Sequence, residues 1–472
     1  MDERVQSSET SDTAAQGSEH RDGAPPVDLR SFVMSLTDAT GHRLSGANPS
    51  GLAHFEQAAH ELLCLVDDPV GSIDRAIEAS PGMTMAHLLK AWLHLLGTEP
   101  GGLVVAKACL AAAAALDADE RERGHLGAAQ ALAAGRWQEA ALRVEDINMR
   151  CPRDTLALQV GHQIDFFRGD SRMLRDRIAR VLPAWDPAVP GWHAVLGMHA
   201  FGLEETGDYA AAEARGRRSV ELEPRDSWGW HAVAHVHEMR NAPRDGIAWL
   251  EPSRATWSKG SFLGTHNAWH LALCQLELDR HDEVLRLYDE AIGGTGSAVV
   301  LDLVDASALL WRLHLRGVAL GERGAAIAER WATHGAGGSY AFNDLHAMIA
   351  YVLADRPREQ HALIEAQQEA MRSDLDNAAF TRDIGHPATL AVQAFGAGDF
   401  AHAAMLLRPV RSGAHRFGGS HAQRDLVDLT LLAAADRAGD RSLAAALAAE
   451  RLALRPNSPD ARRVVARWPM TA

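Results

Sequence analysis

The 472-residue chain lacks the features that mark several large classes of protein. Its four cysteines, Cys64, Cys109, Cys151 and Cys274, are scattered and form no Cys-x-x-Cys pair, which argues against a structural zinc site of that type and fits a reducing cytoplasm. No apolar run approaches the roughly 20 residues that cross a bilayer. The acidic, polar start, MDERVQSSETSDTAAQGSEH, has no apolar core and does not resemble a signal peptide. These absences predict a cytoplasmic protein that does not span a membrane.

Positive charge is also scarce. Lys and Arg number 47 against 62 Asp and Glu, and the formal net charge of -15 argues against nucleic acid or an anionic membrane as the main partner. No Gly-x-Gly-x-x-Gly loop, Gly-x-x-x-x-Gly-Lys loop or Gly-x-Ser-x-Gly nucleophile motif occurs. The chain does contain 24 histidines, so its charge changes strongly between about pH 5 and pH 8.

Strand signals are nearly absent, while Ala, Leu, Glu and Arg dominate and apolar residues recur three and four positions apart. A glycine turn is followed 17 residues later by a proline at positions 135 and 152, 207 and 224, and 439 and 456. The turn motif itself occurs as GRWQEA (135–140), GDYAAA (207–212) and GDFAHA (398–403). This pattern predicts helical hairpins, each ended by a proline, that bury their apolar faces by stacking.

The hairpin spacing resembles the tetratricopeptide repeat, and longer segments resemble the tetratricopeptide repeat protein 38 family. The matching segments include RVLPAWDPAVPGWHAVLGMHAFGLEETGDYAAAE, HAVAHVHEM, HNAWHLALCQLELD, LLWRLHLRG, FNDLHAM and GGSHAQRD, in collinear order from about residue 80 to about residue 460. One departure is DRHDE (279–283), where the family more often has a glycine. The resemblance implies architecture and leaves the chemistry open.

Two segments follow from this pattern. Residues 1–28 are predicted to be a disordered acidic tail. Residues 29–472 are predicted to be a single array of stacked helical hairpins, an all-α tetratricopeptide-like solenoid that is strongly curled, because no Pro-, Gly- or Ser-rich linker interrupts them.

The stretch GWHAVAHVHEM (229–239) is unusually rich in histidine. If Ala234 is the small residue at which paired helices touch, a helical period places His231, His235 and Glu238 on the side that lines the concave groove. His237 falls on the opposite side, toward a neighbouring helix. The first helix of this hairpin therefore presents two imidazoles and a carboxylate inward.

The next hairpin repeats the arrangement in THNAWHLALCQLEL, where His266 and His270 are four residues apart and Asn267 lies between them. The first helices of adjacent repeats lie roughly 10 Å apart, so this pair can meet His231 and His235. The pattern predicts a cluster of four imidazoles inside the array.

Three interpretations of this cluster stay open. The first is a divalent transition metal held by His231, His235, His266 and His270, with Glu238 as a further ligand or a general base. The second is a metal-free site in which the same five side chains act as acid, base or hydrogen-bonding groups on a small molecule, which makes them the candidate catalytic residues. The third is a polar network that joins neighbouring helices.

A second candidate site lies in GGSHAQRD. Ser420 and Gln423 form the capping-box pattern, and Arg424 adds positive charge to the free N–H groups of a helix start. A carboxylate or phosphate can dock there, and His421 can point into the groove. The alternative is a capped helix in which Arg424 and Asp425 form internal salt bridges.

Histidines at two more helix starts are weaker candidates. His346 in FNDLHAM and His386 in DIGHPATL are each more often structural, but with His421 they face the central cluster if the array curls back on itself. Asp302 and Asp305 can join a site, although solvated charge is the more common outcome for such a pair.

Two functions remain from these observations. The chain binds a small molecule in a His/Glu-lined groove, with Asn267, Ser420, His421, Arg424, His346 and His386 as further candidate ligand-binding residues. The alternative is a scaffold that binds a partner protein or peptide, which rests on the fold alone. The predicted groove positions carry no Lys, which argues against a clamp for a C-terminal carboxylate.

Overall fold

The computed structural model describes residues 36–468, so the predicted acidic tail, 1–28, lies outside the described range. Within that range the chain is helical nearly throughout, and β pairing is limited to two isolated bridges, Thr37 with Arg43 and Val66 with Ser261. The all-α stack of helical hairpins predicted from the sequence is therefore confirmed. No helix in residues 36–468 is both long and apolar enough to cross a membrane.

Consecutive helices pair as hairpins, and the hairpins stack in chain order. The α-helices are α1 Pro49–Cys64, α2 Pro69–Ala79, α3 Thr84–Leu96, α4 Pro100–Ala114, α5 Glu120–Ala133, α6 Trp137–Arg150, α7 Thr155–Phe167, α8 Ser171–Ala179, α9 Trp192–Glu205, α10 Tyr209–Leu222, α11 Ser227–Met239, α12 Pro243–Leu250, α13 Arg254–Ser258, α14 Gly264–Glu277, α15 His281–Ala291, α16 Val300–Leu315, α17 Arg323–Ala332, α18 Ala341–Leu353, α19 Pro357–Ala370, α20 Asp376–Phe380, α21 His386–Gly396, α22 Phe400–Val410, α23 His421–Arg437, α24 Arg441–Leu454 and α25 Pro459–Arg467. Short 3-10 segments at Leu182–Ala184, Glu251–Ser253 and Arg411–Phe417 and a π segment at Thr381–Gly385 join some of them.

Turn chemistry fixes where α9, α10 and α11 begin and end. Gly207 follows α9 with a φ of +87°, a backbone conformation that glycine adopts without steric penalty. The side chains of Asp208 and Asp226 then cap α10 and α11 by accepting hydrogen bonds from backbone N–H groups of their first turns. Pro224 lies in the turn between the two helices, so the 17-residue spacing corresponds to one helix and its two ends.

The helices form an inner and an outer layer. The inner helix α11 buries twelve of its thirteen residues, whereas the outer helix α15 buries three of eleven. A helix that is enclosed on all sides has no solvated face, so its polar side chains are buried as well. All three histidines of α11 are buried in this way. This layering carries the histidine-rich stretch into the interior.

The array curls until its C-terminal helices pack against its middle. Helix α23 contacts both α11 and α16, and the indole nitrogen of Trp311 donates to the hydroxyl of Thr430 over 2.8 Å. Farther along, Arg455 Nη2 lies 3.5 Å from Glu238 Oε1 on α11. The inner face predicted to line the concave groove is therefore covered at α11.

Candidate functional site

Four histidines meet between α11 and α14, the first helices of adjacent hairpins. His231 and His235 are one turn apart on α11, and His266 and His270 are one turn apart on α14. One ring nitrogen from each of the four lies within 4.8 Å of the others. The structure thus brings together the four imidazoles that the sequence predicted to converge.

Two carboxylates fix how the α14 histidines present their nitrogens. His266 Nδ1 lies 2.7 Å from Asp305 Oδ2, and His270 Nδ1 lies 3.0 Å from Glu238 Oε2. A carboxylate accepts, so each Nδ1 carries a proton that points at its carboxylate. This leaves the Nε2 atoms of both rings for other partners.

The α11 histidines bring further nitrogens that lack partners. His231 Nε2 lies 3.1 Å from His266 Nε2, so His231 donates there, and its Nδ1 has no partner among the described residues. Within 36–468 neither nitrogen of His235 makes a hydrogen bond, although Nδ1 lies 3.4 Å from Glu204 Oε2. Nε2 of His270 also has no hydrogen-bond partner within residues 36–468. Because two of the ring hydrogens point at carboxylates, too few remain to pair with every nitrogen lone pair in the cluster.

Burial keeps three of the four rings uncharged. His231, His235 and His270 are almost fully enclosed, and the side chain of His266 is 14% exposed. Burial, reinforced by the neighbouring imidazoles, lowers the pKa of His231 and of His270 well below its usual range. Burial lowers the pKa of His235 to about 4. At neutral pH these three rings are neutral, the form in which imidazole binds metals.

Aromatic rings form the walls of the cluster. Trp228 stacks on His231 with ring centroids 4.7 Å apart, and Trp269 stacks on His266 at 5.3 Å. Phe201 meets His235 edge-on at 5.2 Å. These walls offer little hydrogen bonding, so an ion bound between the imidazoles would take its contacts from nitrogen.

Two further carboxylates reach the cluster from the end of α9, and sequence reasoning missed them. Glu204 and Glu205 form a second group of possible ligands with His235. Burial and the adjacent Glu205 raise the pKa of Glu204 well above its usual range. Burial acts the same way on Glu205, but the hydrogen bond from His421 and the charge of Arg424 outweigh it and hold the pKa of Glu205 below its usual range. Paired acids at a helix C-terminus, where the dipole disfavours negative charge, were the available signal.

The predicted anion site at the start of α23 is filled from within the chain. Ser420 and Gln423 form the expected capping box. The anion that docks beside them is the Glu205 carboxylate, which accepts from the backbone N–H of His421 over 2.8 Å and from Arg424 Nη2 over 3.1 Å. The expectation of a bound external anion at this point is corrected, because an internal salt bridge occupies the position.

The remaining candidates lie in different surroundings. His346 Nδ1 bonds the carbonyl oxygen of Phe342 one turn earlier, and His386 Nδ1 bonds Gln367 Oε1, each at 2.8 to 2.9 Å. Their polar contacts therefore do not turn toward the cluster, and of the three helix-start histidines His421 is the one linked to it, through Glu205.

Two more polar side chains on the inner helices are buried. Asp305 is 2% exposed and orients His266, which corrects the view that the pair of aspartates on α16 is solvated. Asn267 is fully buried, and neither its Oδ1 nor its Nδ2 has a hydrogen-bond partner in the described part of the chain. His237, as expected, lies on another side of α11, where it packs beside Gly246 of α12.

A cavity of about 670 Å³ opens on the far side of Glu205. Its wall includes Tyr209, His421 and Arg424 together with residues of the segment after α22. Glu205 lines this cavity and also belongs to the group formed with Glu204 and His235.

Comparisons with known proteins add little to this geometry. No family model matches the sequence, and the resemblance to the tetratricopeptide repeat protein 38 family stays a prediction. The crystal structure of yeast Tom70 is 12% identical over 88% of this chain and 96% of its own, with a TM-score of 0.31. The TPR domain of P58(IPK) is 14% identical over 83% of this chain and 98% of its own, with a TM-score of 0.19. Superpositions of this quality say nothing about what the chain binds.

Proposed function

We propose that the chain binds one divalent transition metal ion through His231, His235, His266 and His270, and that this ion serves a small-molecule site. The observation that carries the proposal is the convergence of four imidazole nitrogens within 4.8 Å of one another in a largely buried cluster. A tetrahedral ion with Zn–N distances near 2.05 Å requires its ligand nitrogens roughly 3.3 Å apart. Small rotations of the four rings would supply that contraction.

The donor set and its support match those of protein metal sites. Imidazole suits zinc, copper, nickel and iron, and ligating histidines usually donate their other ring N–H to a carboxylate that orients them. Asp305 plays that part for His266, and Glu238 plays it for His270. Glu204 Oε2 lies 3.4 Å from the Nδ1 of His235 but makes no hydrogen bond to it, so the His235 ring is not oriented in this way.

A purely structural network fits these contacts less well. Buried polar networks stabilise a fold when every donor and acceptor is satisfied, and each unsatisfied buried group costs about 1–3 kcal/mol. In the described structure His235 satisfies neither of its nitrogens, and His231 and His270 each leave one without a partner. A metal ion between the rings turns these lone pairs into ligands.

The surroundings favour a small molecule over a peptide as the further ligand. The cluster is closed by the C-terminal helices, so an extended peptide has no open groove at α11 through which to reach it. Glu204, whose pKa burial raises well above its usual range, lies 3.4 Å from His235 and is placed to act as an acid or a base next to a metal-bound molecule. The partially exposed His266 marks the side of the cluster closest to solvent. The scaffold alternative rests on the fold alone.

Metal content tests the first half of the proposal. Untagged protein, as purified or after incubation with Zn²⁺ and removal of excess, should hold about one equivalent more than the His231→Ala/His235→Ala variant does. His237→Ala is the matched control, because His237 is on the same helix and outside the cluster. Equal metal content in the double variant and the wild type would sink the proposal.

Azide tests the second half. Protein loaded with Co²⁺ should show, on addition of azide, a change in visible absorption that the His231→Ala/His235→Ala variant lacks, if a small molecule can reach the ion at the cluster. The same azide response in both proteins, with metal still bound at the cluster, would leave a closed structural ion and remove the small-molecule part.

A further inference from the structure

A second group of metal-binding side chains lies away from the four-histidine cluster, where α1 ends against the start of α9. His60 and Cys64 are one turn apart at the end of α1, and His193 is in the first turn of α9. One ligand atom from each of these three lies within 4.8 Å of the others. We propose that His60, Cys64 and His193 bind a second divalent metal ion through two imidazoles and one thiolate, with a fourth position open to water.

The distances are close to those that such an ion imposes. Cys64 Sγ lies 3.8 Å from His60 Nε2 and 3.9 Å from its Nδ1. A tetrahedral zinc with Zn–S near 2.3 Å and Zn–N near 2.05 Å places sulfur and nitrogen roughly 3.5 Å apart. The rings of His60 and His193 stand edge-to-face with centroids 6.0 Å apart, which leaves room for an ion between them.

A buried carboxylate orients His193 as a ligand. His193 Nδ1 lies 2.8 Å from Asp226 Oδ2, so the ring donates from Nδ1 and keeps the lone pair of Nε2 for the ion. Asp226 is fully buried and is itself held by the hydroxyl of Ser219 at 2.8 Å. This carboxylate–histidine pair is a second observation, independent of the thiol, that fits a metal ligand.

The same residues also suggest a thiol–imidazole–carboxylate nucleophile, and burial argues against it. A nucleophilic cysteine has to meet its substrate, yet Cys64 is 0% exposed at the end of α1. A nucleophilic role for Cys64 also leaves His60 without a function, although His60 lies beside the same sulfur. A metal ion bound beside the exposed ring of His60 would use all three side chains as ligands, and its fourth coordination position would face solvent.

Cobalt substitution separates this site from the four-histidine cluster. A thiolate ligand gives Co²⁺ an intense near-ultraviolet charge-transfer band, and imidazole ligands alone give none. Metal-free wild-type protein titrated with Co²⁺ should develop this band. The Cys64→Ser variant should lose the band and one equivalent of metal, whereas His231→Ala/His235→Ala should keep the band.

Two further variants keep the result interpretable. Cys109→Ser changes another buried cysteine, and it should titrate as the wild type does. His60→Ala changes an exposed side chain that the fold can lose, and it should weaken Co²⁺ binding at this site by at least about tenfold without altering the helical circular dichroism. A wild-type titration without the charge-transfer band overturns the proposal. Alkylation of Cys64 by iodoacetamide in protein that binds no cobalt would instead support the nucleophile.

Discussion

The exchange of His235 for leucine distinguishes a metal ligand from a structural histidine by the sign of its effect. His235 is 0% exposed, and within residues 36–468 neither ring nitrogen makes a hydrogen bond. Burial of an unsatisfied polar group costs about 1–3 kcal/mol, and a substitution of similar size costs less than about 1.5 kcal/mol in packing. Metal-free His235→Leu should therefore unfold at the same urea concentration as the wild type or at a higher one, a gain of up to about 2 kcal/mol.

The same chain offers a matched control in His125, which is also 0% exposed. Its Nε2 lies 2.9 Å from Asp154 Oδ2, and its Nδ1 accepts from the indole N–H of Trp92 over 3.3 Å. His125→Leu leaves the indole N–H of Trp92 without its acceptor in the core and removes one hydrogen bond to Asp154, which keeps those from Arg121 and the backbone N–H of Ala157. We expect it to destabilise the protein by about 2–4 kcal/mol.

Added metal should reverse the order of the wild type and His235→Leu. A ligand at about 1,000 times its dissociation constant stabilises the folded state by about 4 kcal/mol, and the variant forfeits this. The assay is urea unfolding followed by circular dichroism, with chelator and then with excess Zn²⁺. A metal-free His235→Leu that is destabilised by as much as His125→Leu refutes the reasoning and makes His235 a structural residue.

The other predictions concern the support of the site and the charges in the core. Asp305→Asn should weaken metal binding about 10- to 100-fold in a competition titration while the melting temperature of the metal-free protein stays close to that of the wild type, because Asp305 acts on the ion through His266. Burial raises the pKa of Asp344 to about 7 from 3.8, so the folded chain retains a proton that the unfolded chain releases, and stability is lost as pH rises from about 4 through 7. Asp344→Asn should flatten that part of the stability profile, and an unchanged slope contradicts the assignment. Arg177→Met should destabilise the protein by about 3–5 kcal/mol, since it removes both hydrogen bonds of Arg177 to the buried Asp165 and leaves that carboxylate a longer contact, to Arg168 Nη1 at 3.3 Å. A shift of the urea midpoint worth less than about 1 kcal/mol would contradict this reasoning.

Local rules were enough to predict the fold class, because the signals of each hairpin lie within it. Gly207 and Asp208 mark the end of one helix and the start of the next, and both act in the structure as a turn glycine and an N-cap. The pairing of His231 and His235 with His266 and His270 was accessible for the same reason, since adjacent hairpins place equivalent helices side by side.

The sequence could not predict contacts between side chains that come from distant parts of the array. Glu204 is close to His235 because α9 packs beside α11, and Arg455 reaches Glu238 because the array curls. The curl also places the Glu205 carboxylate against Arg424, at the position where the sequence predicted an external anion. Hydrophobic periodicity fixes which face of a helix is buried but not which distant side chain faces it.

The meeting of His60 and Cys64 with His193 has the same origin. The histidine and the cysteine are one turn apart and visible in the sequence, but a pair at that spacing on one helix offers only two ligands. The third comes from α9, whose first turn is held in place by the Asp226 cap of α11. Only the stacked array turns an ordinary helix end into a three-ligand group.

His125 shows what the fold does with a buried histidine whose role is structural. It satisfies both of its nitrogens in a core built from the same hairpins. At the junction of α11 and α14 the described structure supplies tryptophan faces and other histidines instead, and its carboxylates orient only His266 and His270. Both nitrogens of His235 and one nitrogen each of His231 and His270 lack a partner there. Such an arrangement stabilises the protein once a cation occupies the centre, and destabilises it otherwise.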